Sequence, residues 1–303
     1  GTIIHNINRS ETSMKDYIIK ATAFNYQVRA YAIRSTNTVE EVRRRHHLKP
    51  LATIAIGRAM TATVLLNSLL KGNDQLTVNI NGGGKIGSLL IDANTNGDVR
   101  GYVTNHQSLT DDENETLSVK DAVGGFGTMT VTRRNGNNMP FIGQIPIING
   151  EINEEFASYL YHSEQIPSAV SVSTLIDDDL TVEAAGGFII QLLPGTNIKL
   201  IEQIKLRITE VMSLQAMLKT KFSPEDILRT ILGEDIEELE QLPVQFKCEC
   251  SRERISNAII SLGKEEILDM IETDGQANAE CHFCNEHYFF TIEDLQQLYE
   301  QAK

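Results

Sequence analysis

The chain has 303 residues, of which 41% are hydrophobic and 22% charged, a composition typical of a globular protein of about two domains. The 41 acidic and 27 basic side chains give a net charge of −14, which opposes binding to a phosphate backbone and argues against a generic nucleic-acid binder. Four cysteines in this length exclude a small secreted scaffold built on disulfides, and the composition also excludes collagen-like and mucin-like chains.

The residues before Met14 contain no apolar segment flanked by positive charge, so they do not indicate a signal peptide. We interpret residues 1–13 as an expression remnant and leave them out of the fold prediction. The longest apolar stretch, 51–70, is interrupted by Arg58 and several threonines, which favours a buried core helix over a membrane span. We therefore expect a cytoplasmic protein with reduced thiols and no membrane partner.

Strand and helix patterns alternate over residues 14–194. Two β-rich segments form a predicted hairpin at Asn25-Tyr26, and Pro50 begins a long apolar helix that Gly72-Asn73 ends. Helices are also predicted over 38–47 and 152–162, and strands over 17–23, 27–33, 76–104 (three strands and two turns), 127–133, 141–148, 169–176 and 180–193. We therefore predict an α+β core domain with a largely antiparallel sheet and packed helices.

Helical periodicity continues after Pro194-Gly195. Residues 198–218 show one apolar face, and Ser223-Pro224 begins a further helix that Gly233 ends before an acidic run. Amphipathic helices of this length need a surface to cover their apolar faces, so we predict a docked helical linker over 195–242. Its apolar side chains include Ile201, Ile204, Ile208, Ile227 and Ile231.

All four cysteines lie in the last segment, 243–303. They form the pairs Cys248-Glu249-Cys250 and Cys281-His282-Phe283-Cys284, and 30 residues separate the pairs. Two close pairs of thiolates suit a tetrahedral zinc ion, so we predict a small zinc domain with one Zn²⁺ per chain. Four buried cysteines without a metal are the alternative. His282 and His287 are candidate substitute ligands, although four thiolates already complete such a site.

The spacing of the cysteines also suggests a redox switch. Around one zinc ion the four sulfurs lie close enough for an oxidant to link them, CxxC is a common redox spacing, and loop closure favours bonds within each pair. A structural zinc ion supplies ~10–16 kcal/mol of folding free energy to a domain of this kind. Oxidation would therefore remove most of the free energy that folds the segment.

This cysteine pattern resembles that of heat-shock protein 33, the family of 33 kDa chaperonins. Five further matches to the family are Arg29-Ala30-Tyr31, Gly82-Gly83-Gly84 with Gly87, Ser163-Glu164-Gln165-Ile166-Pro167-Ser168, Gly186-Gly187-Phe188-Ile189-Ile190-Gln191, and Gly263 with Ile267. The resemblance extends from Met14 to the end of the chain.

The resemblance implies a redox-regulated, ATP-independent holdase chaperone, inactive in its reduced, zinc-bound form. It implies that oxidation forms the disulfides Cys248–Cys250 and Cys281–Cys284, releases zinc and destabilises the linker. The oxidised protein, usually a homodimer, then holds unfolding client proteins during oxidative and heat stress. For this chain we expect that the zinc domain helps to hold the linker helices down, and that their apolar faces bind clients once it unfolds.

Other motifs and functions are less well supported. The sequence Gly82 to Gly87 matches GxGxxG, but a strand rather than a helix is predicted after it, which favours a turn over a dinucleotide site. Arg43-Arg44-Arg45 indicates a solvated helix face, with anion or client contact as the alternative.

A zinc knuckle for nucleic acid is opposed by five basic and twelve acidic side chains over 243–303. A dithiol oxidoreductase would need a βαβ setting around its CxxC, and we expect no enzymatic activity.

Overall fold

A computed structural model describes residues 14–70, 72 and 74–303. The predicted remnant, 1–13, lies outside the described residues. The strands are β1 (Tyr17–Ala23), β2 (Val28–Arg34), β3 (Gln75–Asn81), β4 (Ser88–Asn94), β5 (Asp98–Val103), β6 (Thr128–Arg134), β7 (Phe141–Pro146), β8 (Ser168–Ile176), β9 (Val182–Leu192), β10 (Glu237–Pro243), β11 (Gln245–Phe246), β12 (Ala277–Glu280) and β13 (His287–Phe290). The helices are α1 (Thr36–His46), α2 (Pro50–Leu69), α3 (Asp111–Thr116), α4 (Val119–Val123), α5 (Asn153–Ser163), α6 (Lys199–Glu210), α7 (Leu214–Lys219), α8 (Pro224–Leu232), α9 (Arg252–Ser261), α10 (Lys264–Thr273) and α11 (Ile292–Gln301).

The strands form three sheets. Sheet A has the order β10-β1-β2-β9-β8 and is antiparallel throughout. Sheet B has the order β11-β5-β4-β3-β6-β7 and is antiparallel except for the short parallel pair β11–β5. The hairpin β12–β13 forms the third sheet. The predicted α+β class and the predominance of antiparallel pairing are therefore confirmed.

Helix α2 lies at the centre of the core, between sheets A and B. Its apolar residues belong to one buried cluster with Ile33 and Ile189 of sheet A and with Val78 and Ile91 of sheet B. This helix is long and apolar enough to cross a membrane, but most of it is buried inside the fold. The prediction of a buried core helix is confirmed, and the helix bridges the two sheets.

Sheet A is covered on both faces, which explains its nearly continuous apolar strands. In β2, Tyr31 and Ile33 face α2, whereas Ala30 and Ala32 face the linker helices, because successive side chains point to opposite faces. Small side chains dominate the linker face of β1 and β2. Helices can therefore pack closely against that face.

The glycine-rich segment Gly82 to Gly87 joins β3 to β4 as a tight connection, and strand β4 follows it. A Cβ atom built on Gly82 would lie 2.2 Å from the carbonyl oxygen of Gly124, so the close approach of two backbones requires glycine here. Gly83 and Gly87 have positive φ angles, which glycine adopts without strain. The predicted turn and the strand after it are confirmed.

The linker differs from its prediction in two respects. The single helix expected over 198–218 is divided into α6 and α7, because Val211 is extended and the Ser213 side chain caps α7 by accepting a hydrogen bond from the N–H of Ala216. The end of the acidic run forms strand β10, which pairs with β1. Pairing satisfies the backbone groups of β1, and the glutamates of β10 discourage further strand addition at this edge.

Candidate metal centre

The four cysteines are carried by two short segments of the C-terminal region. Cys248 and Cys250 lie between β11 and α9, whose first turn is capped by the Ser251 side chain. Cys281 and Cys284 lie in the turn between β12 and β13. There the N–H of Cys281 bonds the carbonyl of Glu286 at 2.9 Å, and the N–H of Asn285 bonds the carbonyl of Cys281 at 2.8 Å. Each segment therefore presents two sulfurs toward the other.

The four sulfur atoms converge on one point. All lie within 4.8 Å of one another, and all four cysteines are free thiols. The Sγ atoms of Cys248 and Cys281 are 3.7 Å apart, and those of Cys250 and Cys284 are 3.3 Å apart. Zn–S bonds of about 2.3 Å place tetrahedral ligands about 3.8 Å apart, so this donor set fits a zinc ion. His282 and His287 do not belong to the group.

Burial and hydrogen bonding shift the pKa values of the cysteine thiols in different directions. Burial opposes ionisation of Cys248, but the N–H of Cys250 and the guanidinium of Arg100 outweigh it and lower the pKa of this thiol. Burial raises the pKa of Cys281 and of Cys284, and the neighbouring sulfurs add to this effect. Four thiolates this close together, of which Cys284 is buried and the others half-buried, need a compensating cation, which a divalent metal supplies.

The cysteine region rests on the core at sheet B and at the end of α1. From β5, the Tyr102 ring stacks on His282 at 5.8 Å between centroids and meets Phe283 edge-on at 5.0 Å. At the end of α1, His46 Nε2 lies 2.7 Å from the carbonyl oxygen of Phe283, and Asn285 Nδ2 donates to the carbonyl of Arg45 at 2.9 Å. The turn that carries Cys281 and Cys284 therefore contacts the core directly.

The basic run on α1 is largely neutralised within its own helix. Arg43 pairs with Glu40, and both Arg44 and Arg45 pair with Glu41. The predicted solvated helix face holds for Arg44, which is exposed, whereas Arg43 and Arg45 are half-buried and the guanidinium of Arg45 lies 4.8 Å from the centre of the Phe246 ring. No local pattern indicates that His46 contacts the cysteine region, because its partner lies 237 residues away along the chain.

The linker isoleucines cover sheet A rather than the cysteine region. Ile201, Ile204, Ile227 and Ile231 are at most 3% exposed, and Ile208 packs at the edge of the same cluster. Among the described residues, this cluster comprises sheet A and linker side chains, and none from 243–303. If the 243–303 segment helps to hold these helices down, as expected, it does not do so by packing in this apolar cluster. The connection between them runs through β10 and β11.

Comparison with known proteins identifies the family. The model of the Hsp33 protein family matches residues 16–291. This chain belongs to the Hsp33 family. It is 51% identical over 292 residues to the 33 kDa chaperonin of Geobacillus sp. (strain WCH70), and 50% identical over 288 residues to that of Bacillus subtilis (strain 168). These alignments cover 96% and 95% of this chain, and 99% of each relative.

A solved structure agrees with this assignment. The crystal structure of the 33 kDa chaperonin (heat shock protein 33 homolog) from Thermotoga maritima superposes with a TM-score of 0.86 at 35% identity, covering 95% of this chain and 98% of that one. The resemblance inferred from the cysteine pattern is confirmed. As a member of the Hsp33 family, the chain is a chaperone with a cluster of four cysteines.

Proposed function

We propose that this protein is a redox-regulated, ATP-independent holdase chaperone that is inactive while reduced and zinc-bound. The observation that carries the proposal is the convergence of four free thiols within 4.8 Å, in a segment joined directly to the strand that ends the linker. We divide the chain into a core (14–194), a linker (195–242) and a redox-sensing zinc domain (243–303).

Cys248, Cys250, Cys281 and Cys284 would hold one zinc ion, which ties the segment before α9 to the β12–β13 turn. The apolar cluster of this domain is small and contains few fully buried side chains, among them Ile267, Phe290 and Leu295. A small core supplies little stability alone, and a structural zinc ion adds ~10–16 kcal/mol. Folding of the domain therefore depends on its thiolates.

Oxidation by a peroxide converts the thiols to the disulfides Cys248–Cys250 and Cys281–Cys284. For each disulfide, two thiolates freed from the metal would lose two electrons, which together with two protons from the solvent reduce one molecule of hydrogen peroxide to two water molecules, and the metal leaves as the free cation. The closest sulfur contacts join the two pairs, as expected of ligands around one ion. Short loops favour bonds within each pair once the two segments separate. Such bonds no longer tie the segments together.

Unfolding of the zinc domain then acts on the linker through β11 and β10. Strand β11 anchors this region to β5 through the N–H of Gln245, which bonds the carbonyl of Gly97 at 3.1 Å, and the N–H of Lys247, which bonds that of Val99 at 3.1 Å. Loss of this anchor frees β10 from the edge of sheet A and destabilises α6 to α8. The client surface comprises the released side chains Ile201, Ile204, Ile208, Ile227 and Ile231, with the face of sheet A that they cover.

We further propose that the oxidised protein is a cytoplasmic homodimer that binds unfolding proteins, and neither nucleic acid nor membranes. The acidic zinc domain opposes phosphate binding. A site closed by four thiolates leaves no position for catalytic water, which disfavours zinc-dependent hydrolysis.

The proposal is tested by measuring zinc content and suppression of client aggregation on the same samples, before and after peroxide with mild heat. We expect about one zinc per reduced chain, and zinc release together with suppression after oxidation. A variant in which both Cys281 and Cys284 are serine is the control, because it removes one disulfide and half of the ligands. Release of zinc without suppression of aggregation would refute the proposal, and catalytic reduction of insulin disulfides would favour an oxidoreductase.

A further inference from the structure

Arg100 is a core residue that reaches a sulfur atom of the cysteine region. It lies on β5, on the outward face of sheet B, and its Nη1 donates to Cys248 Sγ at 3.4 Å. The two residues are 148 positions apart in the chain. The contact therefore exists only while the cysteine region is docked on sheet B.

The guanidinium of Arg100 is held in place from two sides. Its Nε and Nη2 donate to the Asp92 carboxylate on the neighbouring strand, at 3.2 and 2.9 Å. Its planar group lies over the ring of Phe283, 3.9 Å from the ring centre. Arg100 thus contacts both cysteine-bearing segments, one through the sulfur of Cys248 and the other through the ring between Cys281 and Cys284.

We propose that Arg100 is a positioning residue of the metal centre, supplied by the core domain, and that it couples metal binding to docking of the cysteine domain. The inference rests on the proposed metal site. A hydrogen bond from a cation stabilises a metal-bound thiolate, and residues that support ligands in this way commonly contribute 10–100-fold to metal affinity. A disulfide sulfur carries no negative charge and accepts such a bond poorly.

The coupling acts in both directions. If docking increases metal affinity through Arg100, then metal binding must favour docking by the same factor. The same residue therefore connects loss of the metal to release of β11 from β5. Through Arg100, the sulfur of Cys248 contacts sheet B directly, which the linker contacts do not achieve.

The test compares full-length Arg100→Gln with wild type in the reduced state, by competition for zinc against a chromogenic chelator. We expect the apparent zinc affinity to fall about 10-fold. Arg254→Gln is the matched control, because Arg254 is an exposed arginine of the cysteine domain whose ion pair is with Glu249 at 3.7 Å. We expect less than a twofold change for this control.

Cobalt substitution distinguishes a hydrogen bond to sulfur from a merely structural role. Loss of a donor raises the energy of the sulfur electrons, so the thiolate-to-Co²⁺ charge-transfer band should move to longer wavelength in Arg100→Gln and stay in place in Arg254→Gln. The backbone N–H of Lys247 donates to the carbonyl of Val99 in β5, and its hydrogen exchange should be faster in Arg100→Gln than in wild type. Unchanged zinc affinity, or an unmoved cobalt band, would overturn the inference.

Arg100→Lys keeps the test decisive if the glutamine variant fails to fold. Lysine retains the charge but lacks the fork that contacts Asp92 and Cys248 together, so we expect a smaller change in the same direction, and no change would overturn the inference. All these samples are reduced and contain no client. A wild-type chain that binds no zinc would refute the proposed metal site, whereas equal zinc binding by wild type and Arg100→Gln would refute only this inference.

Discussion

Single residues show which parts of the site are predictable from sequence. The four cysteines are identifiable because ligand pairs are local patterns, and zinc geometry dictates how two such pairs combine. Arg100 and Tyr102 are not identifiable from sequence, because they resemble ordinary outward-facing residues of β5. Only the tertiary fold brings their partners to them. The role of Glu155 is not predictable from sequence either, because a glutamate in the first turn of a helix is usually solvated.

The Glu155 carboxylate is fully buried in the structure. Its Oε1 accepts hydrogen bonds from the N–H groups of Ile148, Asn149 and Gly150, and its Oε2 accepts one from Ile152. This carboxylate therefore holds the chain between β7 and α5 in place.

Replacement of Glu155 by glutamine should destabilise the core by about 2–4 kcal/mol, because an amide presents a donor to N–H groups that need an acceptor. Denaturant unfolding followed by circular dichroism measures this change. Glu154→Gln is the control, since Glu154 is exposed and the adjacent residue in the same turn. Equal stability of the two variants would show that the buried hydrogen bonds contribute little.

At the scale of elements, local patterns predicted the strands of the core and the helices with clear end signals. In the same way, local signals mark α11, where the Thr291 side chain and Asp294 form a capping box. Strand β10 was missed because its acidic sequence has no strand pattern, and its pairing with β1 depends on a residue separation of more than 200. The break between α6 and α7 also depends on a long-range contact, the packing of both helices against sheet A, which local patterns do not show.

The linker helices should control access to sheet A independently of the metal. Ile227→Asp places a charge in the cluster between α8 and sheet A, where Ile227 is 1% exposed, so it should release the linker. We expect increased binding of a hydrophobic dye and suppression of client aggregation in the reduced protein, with zinc retained.

Leu206→Asp is the matched control for this change, because Leu206 lies on α6 with its side chain largely exposed. It should leave both dye binding and aggregation suppression at the wild-type level. If Ile227→Asp remains inactive until it is oxidised, although its linker is destabilised, the linker does not cover the client surface.

At the scale of the whole molecule, the structure separates the four cysteines from the linker helices. The cysteine region contacts sheet B and α1, whereas the linker helices cover the opposite part of the core, sheet A. The two regions are joined by β10 and β11, which add to the edges of sheets A and B respectively. This arrangement could not be inferred from sequence, because it is set by strand order rather than by any local pattern. We therefore expect a chemical change at the sulfurs to act on the linker through loss of the strand pairing of β11 and β10.

The central claim is that oxidation of the four thiols uncovers sheet A. Hydrogen exchange of the full-length protein, measured by mass spectrometry before and after peroxide treatment, tests it most directly. We predict that residues 199–232 and 237–243 are protected in the reduced, zinc-bound form and lose protection on oxidation, while α2 remains protected. An oxidised protein that suppresses aggregation while the linker and β10 stay protected would contradict the account.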